Sequence, residues 1–276
     1  LLVGDDKISV NPKLNNCFKG WNAAVHDFIV LADSNALVPP DYIQTMLAAF
    51  REDTALTISM PIGSRPLNFW AAVECAILNT FQARWQYGAE AIGFGFAQGK
   101  NMMWRRDVLD RVGGIRALSA EVAEDAAATK LVRAQGFGIR LVDMPFEQPL
   151  GARTAQEVYL RHARWARLRR ATFPAHYAPE FMNGSFVAVV SGVYAAFMFG
   201  LSPSLTAAVI VFTLYLGELL LAINCGFTIG WRTPFAMVVR DLLLPVMFID
   251  GLLINDFVWH GEEMTVREDK DALSLR

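Results

Sequence analysis

Two apolar runs in the C-terminal third of the chain, residues 181–200 and 205–223, limit its possible folds more than any other feature. As helices rising about 1.5 Å per residue, each is long enough to cross the ~30 Å hydrocarbon core of a bilayer. Ser202-Pro203-Ser204 between them makes a tight, uncharged turn, so two antiparallel spans are expected. Glu218 falls inside the second run, and a carboxylate at that depth is expected to face protein rather than lipid. A third apolar segment, 235–259, carries Arg240, Asp241, Asp250 and Asp256. A simple span would bury several of those charges, so a re-entrant or interfacial element is expected there. The arginine-rich run 161–170 marks the cytoplasmic side. Two crossings return the polar tail, 261–276, to that side; a full third crossing would place it opposite.

Hydrophobic residues make up 54% of the 276 positions and charged residues 19%, with a mean hydropathy of +0.29. This surplus is concentrated after residue 180, which separates a mixed α/β domain over 1–178 from a membrane region over 179–260. A net charge of -2 gives no reason to expect a nucleic-acid partner. The three cysteines, Cys17, Cys75 and Cys225, lack metal-ligand spacing and are expected free and reduced. The opening Leu1-Leu2-Val3-Gly4 carries no signal peptide and reads as the middle of a fold, so an upstream part is expected.

Within 1–178, apolar runs alternate with helical patterns, which argues for a wound sheet with flanking helices. Pro12 suits the first turn of a helix reaching about Ala24, and places Lys13 near its N-terminus, where anions are attracted. Phe28–Ala32 reads as a buried parallel strand, and Leu56–Met60, Met102–Trp104 and Ile139–Met144 as further strands. Pro66 to Tyr87 reads as one long aromatic-rich helix. Gly93 to Lys100 is glycine-rich without the spacing of a Walker loop, yet would let backbone approach a ligand. Glu124-Asp125 opens a helix ending near Gln135, where capping is the structural alternative to chemistry. Thr154 and Glu157 form a capping box, and the helix that follows places Arg161, Arg164, Trp165 and Leu168 on one face.

These residue types suit a nucleoside-diphosphate donor. Asp33, at a strand end, is placed for ribose or metal contact, although Asp33-Ser34-Asn35 also suits an ordinary turn. Charge builds on a diphosphate as it leaves, and a divalent cation held by oxygen ligands, with guanidinium groups, would meet it. A carboxylate beside an acceptor hydroxyl can take its proton, and a tryptophan can wall the acceptor or sugar. Adjacent spans would let a lipid acceptor reach the site. His26, His162, His176 and His260 show no ligand spacing and are expected to be structural; His176 is the one placed to be an acceptor-site residue.

Five motifs, in order and spacing, carry a family resemblance over nearly the whole chain, including Trp259 before the tail: Asn11-Pro12-Lys13-Leu14-Asn15-Asn16, Ala32-Asp33-Ser34-Asn35, Arg105-Arg106-Asp107-Val108-Leu109 with Gly113-Gly114, Ala123-Glu124-Asp125, and Arg161-His162-Ala163-Arg164-Trp165. The chain resembles the ceramide glucosyltransferases and their bacterial relatives, inverting glycosyltransferases of the GT-A type. The resemblance implies a GT-A-type α/β sheet followed by transmembrane helices, a UDP-sugar donor, and a membrane-lipid acceptor, most often ceramide. It implies Asp33 as the second acidic site, near metal and nucleotide, and Asp125 as the general base. Arg161, Arg164 and Trp165 match the motif that closes over diphosphate and acceptor. Lys13, Asn35 and Glu124 join Asp33 in donor binding, with Mg²⁺ or Mn²⁺ at Asp33. Asn35 departs from the second Asp of the usual D-x-D, which weakens the expectation of metal. The first acidic site is expected upstream, since Asp5-Asp6 lies too close to the Asn-Pro-Lys motif and reads as a turn. A processive polysaccharide synthase shares part of this pattern, and a non-catalytic membrane scaffold with a degenerate transferase domain is the reading from another class.

Overall fold

The computed structural model describes residues 2–4, 6–182, 184–259 and 262–266. Asp5, His260 and most of the expected polar tail lie outside these residues. The chain separates into two compact units. One contains the described residues up to Ile62 together with Ala83–Gln148; the other contains Gly63–Gln82 and the described residues from Pro149 onward. The division therefore follows chain contacts rather than the 178/179 boundary read from composition.

The first unit begins with α1 (Pro12–Ala23), whose Asn11 cap accepts from the Lys13 backbone N–H and whose Pro12 lacks the donor that position would leave unmet. Then come β1 (Phe28–Ala32), α2 (Tyr42–Ala48) and β2 (Thr54–Ile58). After an excursion into the second unit, the chain returns as α4 (Ala83–Ala91), β4 (Asn101–Arg105), α5 (Arg106–Asp110), α6 (Glu124–Ala134) and β5 (Gly138–Leu141). The sheet order is β1-β4-β2-β5. β4 runs antiparallel to both β1 and β2, while β2 and β5 are parallel. The parallel pairing expected of β1 is thus corrected: an apolar run reports burial but not the direction of its partner. Met46, Met103, Val142 and Phe146 form part of the core under this sheet. A left-handed backbone at Gly113 and Gly114 separates α5 from a short 3₁₀ stretch, Gly114–Ala120.

β3 (Ile62–Pro66) and β6 (Glu147–Gly151) pair as a two-stranded sheet. The expected long aromatic helix is α3 (Phe69–Cys75), then a π-helical stretch, Ala76–Gln82, then α4. In the second unit follow α7 (Ala155–Thr172), with the Thr154–Glu157 capping box formed, and α8 (Pro174–Tyr177), running into a 3₁₀ turn, Ala178–Met182. The apolar region is α9 (Phe186–Met198), α10 (Pro203–Asn224) and α11 (Thr233–Leu253), and a hairpin of β7 (Asp256–Trp259) and β8 (Glu262–Thr265) comes last.

Among the described residues α10 is the one single helix long and apolar enough to cross a membrane, with mean hydropathy 2.1 over its best window and 11% of that window buried. The first expected span is not a continuous helix. α9 has 13 residues, and the segment before it, Pro174–Met182, meets it at a bend of 47°. Gly184 at the bend has φ +77°, and Ser185 N–H donates to Asp241 Oδ2 at 3.0 Å. Three of the four charges of the third segment, Arg240, Asp241 and Asp250, are buried and paired within the protein, while Asp256 is exposed. Arg240 pairs with Glu218 at 2.6 Å and with Asp241 at 2.7 Å, and Arg167 pairs with Asp250 at 2.6 Å. Ala72, Val73, Ile77, Val158, Ala236 and Met247 pack as an apolar core around them.

Candidate active site

The carboxyl end of β1 and the start of β4 lie side by side because the strands are antiparallel, and Asp33 N–H donates to the Lys100 carbonyl at 2.8 Å. That puts Asp33 and Lys100 on one rim of the sheet. Lys100 Nζ lies 2.7 Å from Asp33 Oδ2 and 3.2 Å from Asn35 Oδ1. Lys13, on the first turn of α1, bridges Asp33 Oδ1 at 3.0 Å and Glu124 Oε1 at 2.9 Å. It also donates to the Gly99 carbonyl. Asn11 is fully buried and fastens α1 to the start of α6, its amide donating to Glu124 Oε2 at 2.7 Å and to the Val122 carbonyl at 3.1 Å. Asp125 accepts from Gly99 N–H at 3.1 Å. The structure therefore brings together Lys13, Asp33, Asn35, Glu124 and Asp125.

Electrostatics separates Asp33 from Asp125. Burial raises the Asp33 carboxyl, but Lys13 and Lys100 outweigh it and hold the group below its ordinary range. Burial pushes Asp125 up, the neighbouring Glu124 charge adds to this, and the Gly99 and Ala126 N–H groups and Lys13 oppose it only in part, leaving it at about 7. Burial works against the Lys13 ammonium, yet Glu124 and Asp33 hold its pKa above the ordinary value. One carboxylate is thus fixed as an ion-pair partner and the other is poised to exchange a proton near neutrality.

A divalent cation at Asp33 does not fit this donor set. Both Asp33 oxygens face ammonium groups, and so does the Asn35 amide oxygen. No group of three or more His, Cys, Asp or Glu side chains suited to a metal occurs among the described residues.

Arg161, Arg164 and Trp165 form a cluster in the second unit. Arg161 pairs with Glu74, which is 1% exposed and also pairs with Arg153 at 3.2 Å. The Arg161 guanidinium lies 5.8 Å from the Trp165 ring centre, and that of Arg164 lies 5.6 Å from Trp259. Cation–π contact of this kind holds a planar cation beside an indole face. His162 is edge-on to Trp165 at 5.1 Å. His176 is exposed and lies 6.1 Å from Phe173. Reading the sequence missed Asn11 as the tie between helices, Lys100 as the partner of Asp33, and Glu74 as the anchor of Arg161. A lone charged residue in the 69–82 segment was the available signal for Glu74.

The family profile described as glycosyl transferase family 21 matches residues 1–272. The chain belongs to glycosyl transferase family 21. Its similarity to curated members extends over almost all of its length. It is 25% identical over 273 residues to ceramide glucosyltransferase 1 of Caenorhabditis elegans, and 23% identical over 271 residues to ceramide glucosyltransferase 3 of the same organism. Each match takes in 95% of this chain, and the chain spans 58% of the length of each relative. In this family 21 chain the acidic cluster and the Arg–Trp cluster each have a defined set of partners within their own unit.

Proposed function

We propose that this chain provides the GT-A-type catalytic part of an inverting hexosyltransferase. It moves a hexose, glucose in the first instance, from a UDP-sugar to the hydroxyl of a membrane lipid such as ceramide. The observation that carries the reading is Asp125, held by the Gly99 N–H with its carboxyl raised to about 7. In the proposed step the acceptor oxygen attacks the anomeric carbon while its proton passes to Asp125. The bond from that carbon to the diphosphate breaks, its electron pair stays on the leaving oxygen, and a single displacement inverts the centre. Positive charge suited to a leaving diphosphate is available on Lys13 in the first unit and on Arg161 and Arg164 in the second. Trp165 walls the acceptor or sugar. Because the Asp33 donor set does not fit a divalent cation, these cationic side chains carry the charge themselves. The apolar helix α10 supports a membrane-embedded chain, and the arginine-rich run 161–170 favours the cytoplasmic face for its catalytic part.

The test is transfer of labelled glucose from UDP-glucose to ceramide in detergent micelles by the full protein, with Asp125→Asn beside it. Lipid-linked label in the wild type alone is expected. Label on a different lipid would move the acceptor and keep the mechanism. No transfer to any lipid by a folded, UDP-binding protein would overturn the reading.

A further inference from the structure

His162 is 3% exposed, and its Nε2 has no hydrogen-bond partner. Its Nδ1 lies 3.4 Å from the Gln82 side-chain nitrogen. An amide nitrogen can only donate, so Nδ1 accepts and the ring proton sits on Nε2. Burial, followed by the charges of Arg161, Arg169 and Arg164, lowers the imidazole to about 3, so the ring is neutral throughout the physiological range. The result is a buried N–H donor without an acceptor, a group that folded proteins rarely leave unmet.

This imidazole lines a cavity of about 20 Å³, which is room for one oxygen-sized group and too little for a sugar ring or a phosphate. Arg169 and Glu180 also line it, but they pair with each other at 2.7 Å. The cavity thus offers a donor without net charge. Apart from the Gln82 amide that meets Nδ1, the remaining wall is apolar, from Ile77 and Phe81 of the π-helical stretch, Ala166 of α7, and Leu244, Met247 and Phe248 of α11. π-helical turns frequently occur at functional sites because they re-aim side chains. A neutral oxygen joined to an aliphatic chain matches this chemistry, and a nucleotide does not.

We propose that this cavity takes the neutral polar head of a lipid acceptor, His162 Nε2–H donating to its amide or hydroxyl oxygen while the chain lies along α11. The assignment rests on the transfer reading above for its choice of lipid. It makes His162 an acceptor-binding residue joined by ring contact to Trp165.

The experiment follows binding of a short-chain fluorescent ceramide to the full protein in micelles, together with KM for ceramide and for UDP-glucose. His162→Phe keeps an aromatic edge against Trp165 and removes the N–H. His162→Gln keeps a donor. Ceramide affinity and its KM are expected to worsen about tenfold in His162→Phe, with Tm and the UDP-glucose KM unchanged and part of the loss recovered in His162→Gln. Unchanged ceramide binding in folded His162→Phe would mean that the cavity holds only water, and would overturn the proposal. Equal loss in both variants with a lowered Tm would overturn it in favour of packing. Ceramide that binds through His162 but receives no sugar would leave this site standing and overturn the transfer reading. Transfer indifferent to both variants would do the reverse.

Discussion

Gly99 donates its backbone N–H to Asp125 Oδ2 at 3.1 Å, and a Cβ at position 99 would lie 2.7 Å from Glu124 Oε1. A side chain at position 99 would have to push the Glu124 carboxylate aside, out of its contacts with Lys13 and Asn11. Gly99→Ala is expected to displace Glu124 or Asp125 and to lower transfer by about 100-fold, a cost typical of misplacing a reacting group. Circular dichroism and Tm near those of wild type would locate the defect in the site. Wild-type turnover would show that the loop yields without consequence.

Asp125 predicts a pH dependence with a defined sign. As the base it must be deprotonated, so kcat/KM is expected to fall on the acid side with a midpoint near its pKa of about 7. Stability runs the other way. The folded-state pKa lies above the ordinary carboxylate value, so the contribution of Asp125 to stability is fully present below about 4 and is lost as pH rises through 7. Asp125→Asn is therefore expected to abolish transfer, to retain UDP-sugar binding, and to raise Tm at pH 8. A pH–rate profile paired with thermal melts checks both; a Tm below wild type at pH 8 would contradict the raised pKa.

Glu74 anchors two arginines of the second unit. Glu74→Gln leaves Arg153 and Arg161 without their buried carboxylate, and breaking such a pair costs about 3–5 kcal/mol. Denaturant titration in detergent should show the loss directly, with activity falling in parallel.

Trp165 contrasts with it. Its ring is half-buried and contacts Arg161 and His162, so Trp165→Ala is expected to reduce turnover by roughly 100-fold while the protein remains folded, and Trp165→Phe to recover part of it. A near-normal rate in Trp165→Ala would reduce the residue to packing.

With an apolar helix of the length of α10, the protein is expected to stay in the membrane pellet after extraction with alkaline carbonate and to require detergent for release. Recovery as a soluble monomer would remove the membrane from the proposed function.

Local signals proved readable in the sequence. The start of α1 at Pro12 and the capping box at Thr154 each depend on residues within a few positions, and each forms as expected. The acidic and basic side chains were also recognisable by type. Their partners were not, because Lys100 meets Asp33 and Arg161 meets Glu74 only through long-range contacts that no local spacing encodes. For the same reason the reversed direction of β4 and the short strands β3 and β6 escaped notice, since strand pairing is decided elsewhere in the chain. The π-helical stretch at Ala76–Gln82 and the bend before α9 interrupt segments whose hydrophobicity is continuous, and hydrophobicity alone carries no mark of either.

The pairing of Glu218 on α10 with Arg240 on α11 has a consequence for how the protein is made. α10 leaves the ribosome before α11, so this buried ion pair can form only after residue 240 has been made. A chain cut between residues 224 and 240 keeps Glu218 and loses the guanidinium that meets it, and removing one partner of a buried pair costs about 3–5 kcal/mol. The two helices are therefore completed together, and the earlier one is at full strength only when the later one is in place.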